Sequence, residues 1–318
     1  MPETNPTSPE SLTLEPGTLW VKVTERTQQA LECGALQSIP TDSQFVEDRG
    51  IRFLVRSLSN LARKDKAKQQ QEKQRPKTAK PVNPFLPYDE DLFVADISET
   101  HVCLLNKFNV VDYHLLLVTR EFESQENWLN LQDFAAMWRC LDEFEGLAFY
   151  NGGTLAGASQ PHKHLQLIPI PLTGEGPKIP IETAIASATF SEGVGTSSQL
   201  PFHHAIARFD RQSADSPLQA AESALELYNR LLQAVGWEPQ TPDNRQSGAY
   251  NLLATRHWML LVPRSQECFE AISVNALGFA GSLFVRNQAQ MQHLTQIGPM
   301  RVLQQVARSH SSTESSTG

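Results

Sequence analysis

The sequence contains little cysteine and no long hydrophobic stretch. Its four cysteines are far apart and form no Cys-x-x-Cys pair, which argues against a zinc framework and is typical of a reducing compartment. The longest apolar run, Ala276 to Val285, is far shorter than the roughly 20 residues that cross a bilayer. The N-terminus also lacks the basic start and apolar run of a signal peptide. We therefore expect a cytoplasmic protein. The cysteines are Cys33, Cys103, Cys140 and Cys268.

Basic residues are also fewer than acidic residues. With 27 Lys and Arg against 35 Asp and Glu, the net charge is −8, a balance that argues against a nucleic-acid-binding surface. A length of 318 residues with 40% hydrophobic composition suits one large globular domain or two fused halves. We predict an N-terminal half at 18–175 and a C-terminal half at 176–308, between a disordered lead at 1–17 and a disordered tail at 309–318.

Short apolar and β-branched runs alternate with a few longer segments that have helical spacing. A helix predicted over Leu129 to Tyr150 would deliver the chain to Asn151, and an amphipathic helix is predicted over Pro217 to Val235. The predicted strands are at 44–55, 92–96, 100–106, 113–119, 249–255 and 258–263, the last two as a hairpin.

The most informative stretch runs from Asn151 to Pro169. In it His162, His164 and Gln166 occupy alternate positions, so a strand would send all three side chains to one face. A loop of small residues precedes them, and its backbone N–H groups could form a concavity for an anion such as phosphate. The loop residues are Gly152, Gly153, Gly157, Ala158 and Ser159.

Three interpretations of the two histidines remain open from the residues alone. They could be structural, with satisfied hydrogen bonds. They could bind a metal, although the segment from Leu165 to Gly174 supplies no third ligand and Gln166 is a poor one. They could act on a phosphoryl group, with His164 as a neutral nucleophile. Because an amide donates a hydrogen bond but moves no proton, Gln166 favours a leaving group and an acceptor that are both phosphates.

Three sets of residues resemble one family in the same order along the chain. The first is His162-Lys-His164-Leu-Gln166 after Gly157-Ala-Ser159-Gln160-Pro161, the second is Asn83-Pro-Phe with Leu104-Leu-Asn-Lys107-Phe-Asn109, and the third is Tyr250-Asn-Leu-Leu with Asn275-Ala-Leu-Gly278-Phe-Ala-Gly281. Together they resemble the diadenosine tetraphosphate phosphorylases, or ATP adenylyltransferases, of the histidine-triad superfamily. The resemblance spans about Ile51 to Val306.

This resemblance implies a site and a fold. The nucleophile would be His164, with His162 and Gln166 beside it. The fold would be α+β, with a mainly antiparallel sheet, flanking helices and the double histidine-triad architecture of the galactose-1-phosphate uridylyltransferase branch. Two positions depart from the family, since Arg286 replaces the usual lysine and Ser282 the usual methionine. The expected substrate-binding residues are Lys64, Asn106, Lys107, Asn151, Gly157, Ala158, Ser159, Gln160, Asn275, Ala276, Leu277, Ser282 and Arg286.

The segment 63–80 concentrates lysine and arginine among glutamines. Having almost nothing to bury, it is predicted to be mobile and solvated. The alternative is an electrostatic lid, because several ammonium groups would attract a polyphosphate at low salt.

The activity implied by the resemblance is reversible phosphorolysis of diadenosine tetraphosphate to ADP and ATP through a histidine-bound AMP. Its small-molecule partners would be diadenosine polyphosphates, ATP, ADP and phosphate, without nucleic acid or membrane. No cofactor or metal with dedicated protein ligands is expected, although Mg²⁺ could accompany the polyphosphate. The alternatives are a hexose-1-phosphate nucleotidylyltransferase, a branch that often carries structural zinc through clustered Cys and His, and a non-catalytic nucleotide-binding protein.

Overall fold

The computed structural model describes residues 13–57, 83–209, 216–239 and 243–309. Seven α-helices lie in these ranges: α1 (Leu19–Cys33), α2 (Leu131–Leu141), α3 (Glu182–Ala186), α4 (Pro217–Ala234), α5 (Ala276–Phe279), α6 (Gln288–Ile297) and α7 (Pro299–Val306). The strands are β1 (Asp42–Asp48), β2 (Ile51–Ser57), β3 (Phe93–Asp96), β4 (His101–Leu105), β5 (Leu115–Thr119), β6 (Gly146–Gly152), β7 (His164–Pro169), β8 (Thr189–Ser191), β9 (Val194–Thr196), β10 (Ala205–Arg208), β11 (Tyr250–Ala254), β12 (Trp258–Pro263), β13 (Cys268–Phe269), β14 (Ile272–Ser273) and β15 (Ser282–Val285).

Ten of these strands form one antiparallel sheet in the order β3-β4-β5-β7-β6-β11-β12-β10-β9-β8. Its centre is the pair of β6 and β11, where Asn151 lies opposite Asn251. A smaller sheet joins β1, β2 and β15, with β15 parallel to β2, and β13 pairs with β14. The predicted α+β class with a mainly antiparallel sheet is therefore confirmed, although the segment 44–55 forms the smaller sheet rather than entering the large one.

The two faces of the large sheet are covered differently. One face packs against α1, α2 and α4 in a continuous apolar core. The other face is covered on the β11 and β12 side by the smaller sheet and by α5, α6 and α7. On the β4 and β5 side, the described residues form a small cluster around Phe85. The strand β7 lies between these two covers, and its polar side chains emerge there.

The helix predicted over Leu129 to Tyr150 is wrong in its second part. Asn130 caps α2 with a capping box, in which its side chain accepts from the backbone of Asp133 and its backbone donates to the Asp133 carboxylate. The helix then ends at Leu141, and residues 146–152 form the fully buried strand β6. Because both faces of β6 are buried, its apolar run lacks the alternation that distinguishes a strand from a helix.

Residues 13–17, which the sequence places in a disordered lead, are held against the core. Leu14 is buried, and its carbonyl accepts hydrogen bonds from the Arg139 guanidinium. Lys64, the rest of the basic segment 63–80, residues 1–12 and residues 310–318 lie outside the described residues. Within the described ranges, no helix is long and apolar enough to cross a membrane.

Candidate active site

His164 opens strand β7 as a buried but unprotonated imidazole. Its ring is only 4% exposed, and its Nδ1 lies 2.8 Å from the carbonyl oxygen of His162. Since a carbonyl can only accept, Nδ1 carries the proton and Nε2 keeps its lone pair. Burial lowers the pKa of His164 to about 4. Nε2 has no hydrogen-bond partner among the described residues, so a neutral nucleophile is available at pH 7.

His162 has a structural role rather than a free ring. The Asn83 amide donates to its Nδ1 over 2.8 Å, and its Nε2–H faces the carbonyls of Thr119 and Glu121 at 2.8 and 3.1 Å. Burial also lowers its pKa. Both ring nitrogens are therefore occupied, and His162 acts on the site through the carbonyl that orients His164. Asn83 supports this ring although the sequence singled it out only for its family resemblance.

Lys163 points to the opposite face of the sheet and anchors this segment there. Its fully buried ammonium lies 2.6 Å from Asp133 and 3.1 Å from Glu123. The other oxygen of Asp133 lies 3.1 Å from the His101 ring. Burial alone would raise the pKa of Asp133, but the Lys163 charge and the His101 contact lower it to about 2. This buried ion pair ties the segment that carries His162 and His164 to α2.

Gln125 fills the gap between β6 and β7, and the sequence analysis missed it. Its Oε1 accepts from the backbone N–H of His164 over 2.8 Å. Its Nε2 donates to the carbonyls of Asn151 and His164 over 3.0 and 3.2 Å. Continuing the β6–β7 register from the pair of Phe149 and Gln166 places Asn151 opposite His164. Both side chains therefore point to the same face of the sheet, and we define the cleft as the space on this face beside His164 Nε2.

Three further predicted residues of the N-terminal half, Gln166, Asn106 and Lys107, have protein partners. Gln166 Oε1 lies 2.9 Å from His114 Nε2, and Asn106 Nδ2 lies 3.2 Å from His114 Nδ1. Lys107 forms an ion pair with Asp89 at 3.2 Å, with both side chains about two-fifths exposed. An exposed pair of this kind is weak, so a bound phosphate could compete for Lys107. His114 was also missed by the sequence analysis, because its position beside Gln166 depends on the pairing of β5 with β7.

The glycine loop is held close to the C-terminal half. Gly157 has a φ of +88°, and a Cβ there would lie 2.9 Å from the Cβ of Asn275. The sequence predicts that backbone N–H groups of this loop could form a concavity for an anion, and two of them instead donate within the loop. Gly157 N–H donates to Thr154 and Ala158 N–H to Gly153, because the residues between them form a short 3₁₀ turn. The exposed Ser159 and the half-buried Gln160 carry the loop amides that remain.

The C-terminal segment reaches the same place. The side chain of Asn275 caps α5 by accepting from Leu277 N–H over 3.1 Å, and Ala276 N–H donates to Asn151 Oδ1 over 2.9 Å. The side chains of Ala276 and Leu277 are buried. Two further predicted residues lie apart from this loop, Ser282 buried in β15 and Arg286 exposed just after it.

Asn251 and Arg264 connect the glycine loop with the segment before α5. The sequence analysis assigned a functional role to neither residue. Asn251 Nδ2 donates to Asn151 Oδ1 over 2.8 Å and to the Ala156 carbonyl over 2.9 Å. Arg264, fully buried, donates to Asn251 Oδ1 over 2.5 Å and to the Val274 carbonyl over 2.9 Å. Burial lowers the pKa of Arg264 to about 9, so its guanidinium still carries a charge at pH 7.

Two family models match the chain. The model of the Ap4A phosphorylase N-terminal domain matches residues 9–187, and that of the ATP adenylyltransferase C-terminal domain matches residues 198–309. Diadenosine 5',5'''-P1,P4-tetraphosphate phosphorylase 2 of Saccharomyces cerevisiae is 28% identical over 243 residues, which are 69% of this chain and 73% of that protein. Protein APA1 of the same organism is 25% identical over 297 residues, 86% of this chain and 88% of that protein.

Solved structures agree on the fold. The crystal structure of yeast Ap4A phosphorylase Apa2 superposes with a TM-score of 0.73 at 24% identity, covering 93% of this chain and 99% of that one. The structure of the same yeast protein in complex with Ap4A also superposes with a TM-score of 0.73, at 23% identity, over 93% of this chain and 98% of that one.

Proposed function

The chain belongs to the family of Ap4A phosphorylases and ATP adenylyltransferases, and from this premise we propose that it cleaves diadenosine tetraphosphate by phosphorolysis into ADP and ATP. The observation that carries the proposal is the state of His164. A neutral imidazole with a fixed Nδ1–H and an unpartnered Nε2 is the form of histidine that can attack a phosphorus atom. The proposed substrate class follows the names of the yeast relatives, one of which is a diadenosine tetraphosphate phosphorylase and one of which was solved with AMP and with Ap4A.

In the first step, His164 Nε2 attacks the α-phosphorus of the dinucleotide. An N–P bond forms, the bond from that phosphorus to the bridging oxygen breaks, and ATP leaves with the electron pair. Positive charge develops on the ring, and the His162 carbonyl stabilises it through the Nδ1–H bond. In the second step, inorganic phosphate attacks the same phosphorus, the N–P bond breaks, and ADP forms while His164 returns to its neutral state.

Neither step needs a proton from the protein. ATP is an anionic leaving group and phosphate an anionic acceptor, whereas attack by water would require a general base. Within the described ranges, no carboxylate forms a hydrogen bond with the His164 ring. The carboxamides of Asn151 and Gln166 lie on the same face of the sheet as His164 and can stabilise charge without exchanging protons, and the apolar ring of Phe85 packs against the His164 ring with the centroids 5.3 Å apart. This arrangement favours phosphate over water as the acceptor.

Other parts of the proposal concern the surroundings of the reaction. We propose that Ser159 and Gln160, with Asn275 across the cleft, hold phosphate oxygens, and that Asn106 and Lys107 contact a nucleotide. Any Mg²⁺ would arrive with the polyphosphate. We also place the protein in the cytoplasm, a proposal supported by its four unpaired and widely separated cysteines.

The test is incubation with diadenosine tetraphosphate with and without inorganic phosphate, following ADP and ATP. Equal amounts of ADP and ATP, formed only with phosphate, are expected. AMP formed without phosphate would indicate hydrolysis, and turnover of UDP-glucose instead would assign the protein to the sugar branch.

The His164→Ala variant is expected to lose activity by roughly 10⁴-fold or more, as removal of a nucleophile does. Substrate labelled in the adenylyl group should label the native protein but not this variant, in a bond that acid breaks and base preserves. Native turnover by the variant would contradict the mechanism.

A further inference from the structure

Two side-chain carboxamides flank His164, and the protein holds each by its oxygen atom. Gln166 follows His164 on the same face of β7. Extending the β6–β7 register places Asn151 level with His164 on the same face, with the Gln125 amide bridging the two backbones. Neither amide nitrogen has a partner within the part of the chain that the structure describes. Since the oxygen of a carboxamide and its NH₂ group point in different directions, holding the oxygen fixes where the two N–H donors point.

The orientation of the Asn151 carboxamide is determined by two groups that can only donate to it. The backbone N–H of Ala276 donates to its Oδ1, and so does Asn251 Nδ2. Asn251 is itself oriented, because Arg264 has only N–H groups and therefore faces Asn251 Oδ1, while the Ala156 carbonyl only accepts and faces Nδ2. All five groups are nearly or fully buried, so water does not compete for these bonds.

The orientation of Gln166 follows from a similar chain of contacts. Asn106 Nδ2 donates to His114 Nδ1, so the proton of the neutral ring lies on Nε2. His114 Nε2–H then donates to Gln166 Oε1 over 2.9 Å. His114 is only 6% exposed, and its ring packs against Phe149 with the centroids 5.7 Å apart, which restricts its movement.

We propose that His114 and Asn251 are positioning residues that fix Gln166 and Asn151 by their oxygens, so that N–H donors from both carboxamides converge on the phosphoryl group reacting at His164. The inference rests on the proposed adenylyl transfer. A carboxamide that could rotate would present its oxygen to the anionic group and repel it. Donors that are fixed before the reaction stabilise the transition state without having to reorient during it.

The first test reverses the Asn251 contact by a nearly isosteric change. In Asn251→Asp the carboxylate keeps its bond to Arg264 but repels Asn151 Oδ1 and attracts the NH₂ group, so Asn151 should turn its oxygen into the cleft. We expect kcat for phosphorolysis to fall by roughly 10-fold to 100-fold, with KM changed by less than about threefold. In a protein already carrying Asn151→Ala, Asn251→Asp should have little further effect.

The second test removes the His114 donor. His114→Phe keeps the ring and loses the hydrogen bond, and a similar fall in kcat is expected, absent when Gln166→Ala is already present. His114→Gln retains an N–H that can reach Gln166 and should recover part of the activity. His204→Phe is the matched control, because His204 is another buried histidine and lies just before β10 of the same sheet. Its loss should leave kcat unchanged.

Thermal unfolding of each variant separates a positioning effect from a loss of structure. The Asn251 variants and the His114 variants are independent tests, so if a variant of one residue does not fold, the other residue still decides the inference. Native kcat in both Asn251→Asp and His114→Phe would overturn it. So would an equal fall in the Ala backgrounds, or an equal fall in His204→Phe. Phosphorolysis by the unsubstituted protein is measured first, and its absence would overturn the proposed function and this inference together.

Discussion

Strands β7 and β12 flank the central pair of β6 and β11 from opposite sides, but they carry different residues on the same face of the sheet. On β7 this face presents His164 and Gln166, whereas on β12 it presents Leu260 and Val262, both fully buried. The cover explains the difference. The smaller sheet and the C-terminal helices lie over the β12 side, while among residues 13–57, 83–209, 216–239 and 243–309 the β7 side has the small Phe85 cluster beside it.

In the proposed mechanism the two halves have different roles. The N-terminal half would supply the nucleophile His164 and the Gln166 carboxamide on β7, while the second half would supply the groups that orient Asn151. Arg264 is an example. It lies directly after β12, is buried, and donates its hydrogen bonds to backbone carbonyls and to Asn251. On this proposal the apolar strand β12 helps to hold the site rigid, and the polar side chains of β7 carry out the reaction.

The largest expected effect on stability tests how β7 is anchored. Lys163→Met would leave the Asp133 carboxylate buried without its ammonium partner, and loss of one member of such a pair typically costs about 3–5 kcal/mol of unfolding free energy. Urea denaturation of the variant and the unsubstituted protein at pH 7 measures the difference.

The control for that experiment is an ion pair at the surface. Lys178 and Glu145 form a pair in which both side chains are about half exposed and screened by solvent, so Lys178→Met should change the stability far less than Lys163→Met. Equal losses in the two variants would show that the buried pair does not anchor β7.

The next effect concerns the covered strand. Leu260 is fully buried on β12, and Leu260→Ala should lower the free energy of unfolding by about 2–5 kcal/mol because it leaves a cavity. The kcat per folded molecule should stay close to native, since Leu260 lies under the cover rather than in the cleft. A loss of kcat without a loss of stability would contradict the division between the two strands.

The sequence predicted the part of the site that is local in the chain. Alternation of His162, His164 and Gln166 placed them on one face, and the small residues before them indicated the loop. It could not predict Asn251 or Arg264, because their link to Asn151 arises from the pairing of β6 with β11, about a hundred residues apart in the chain. It also misjudged residues 146–152, since a strand buried on both faces shows no alternation.

The hydrogen-bonding capacity of the glycine loop was likewise hidden from the sequence. Small residues permit a close approach, and Gly157 does approach Asn275 closely. Whether the amides are free depends on the local turn, however, and the 3₁₀ turn at Thr154 uses two of them. Predicting that outcome would have required the backbone angles of the loop and not only its composition.

The smallest expected effect is a pH dependence that β7 has and β12 lacks. Burial lowers the pKa of His164 to about 4, whereas an unfolded histidine titrates near 6.5. Between these values the unfolded chain binds more protons than the folded one, so the folded state is destabilised as the pH falls from 6.5 toward 4. From pH 7 to pH 5 the contribution of this ring is at most about 2 kcal/mol.

His164→Ala should therefore lose less stability over that interval than the unsubstituted protein, as measured by denaturation at both pH values. Leu260→Ala, which removes no titrating group, should keep the full dependence. An unchanged slope in His164→Ala would mean that the ring is not held neutral by burial, and the central argument for a ready nucleophile would lose its physical basis.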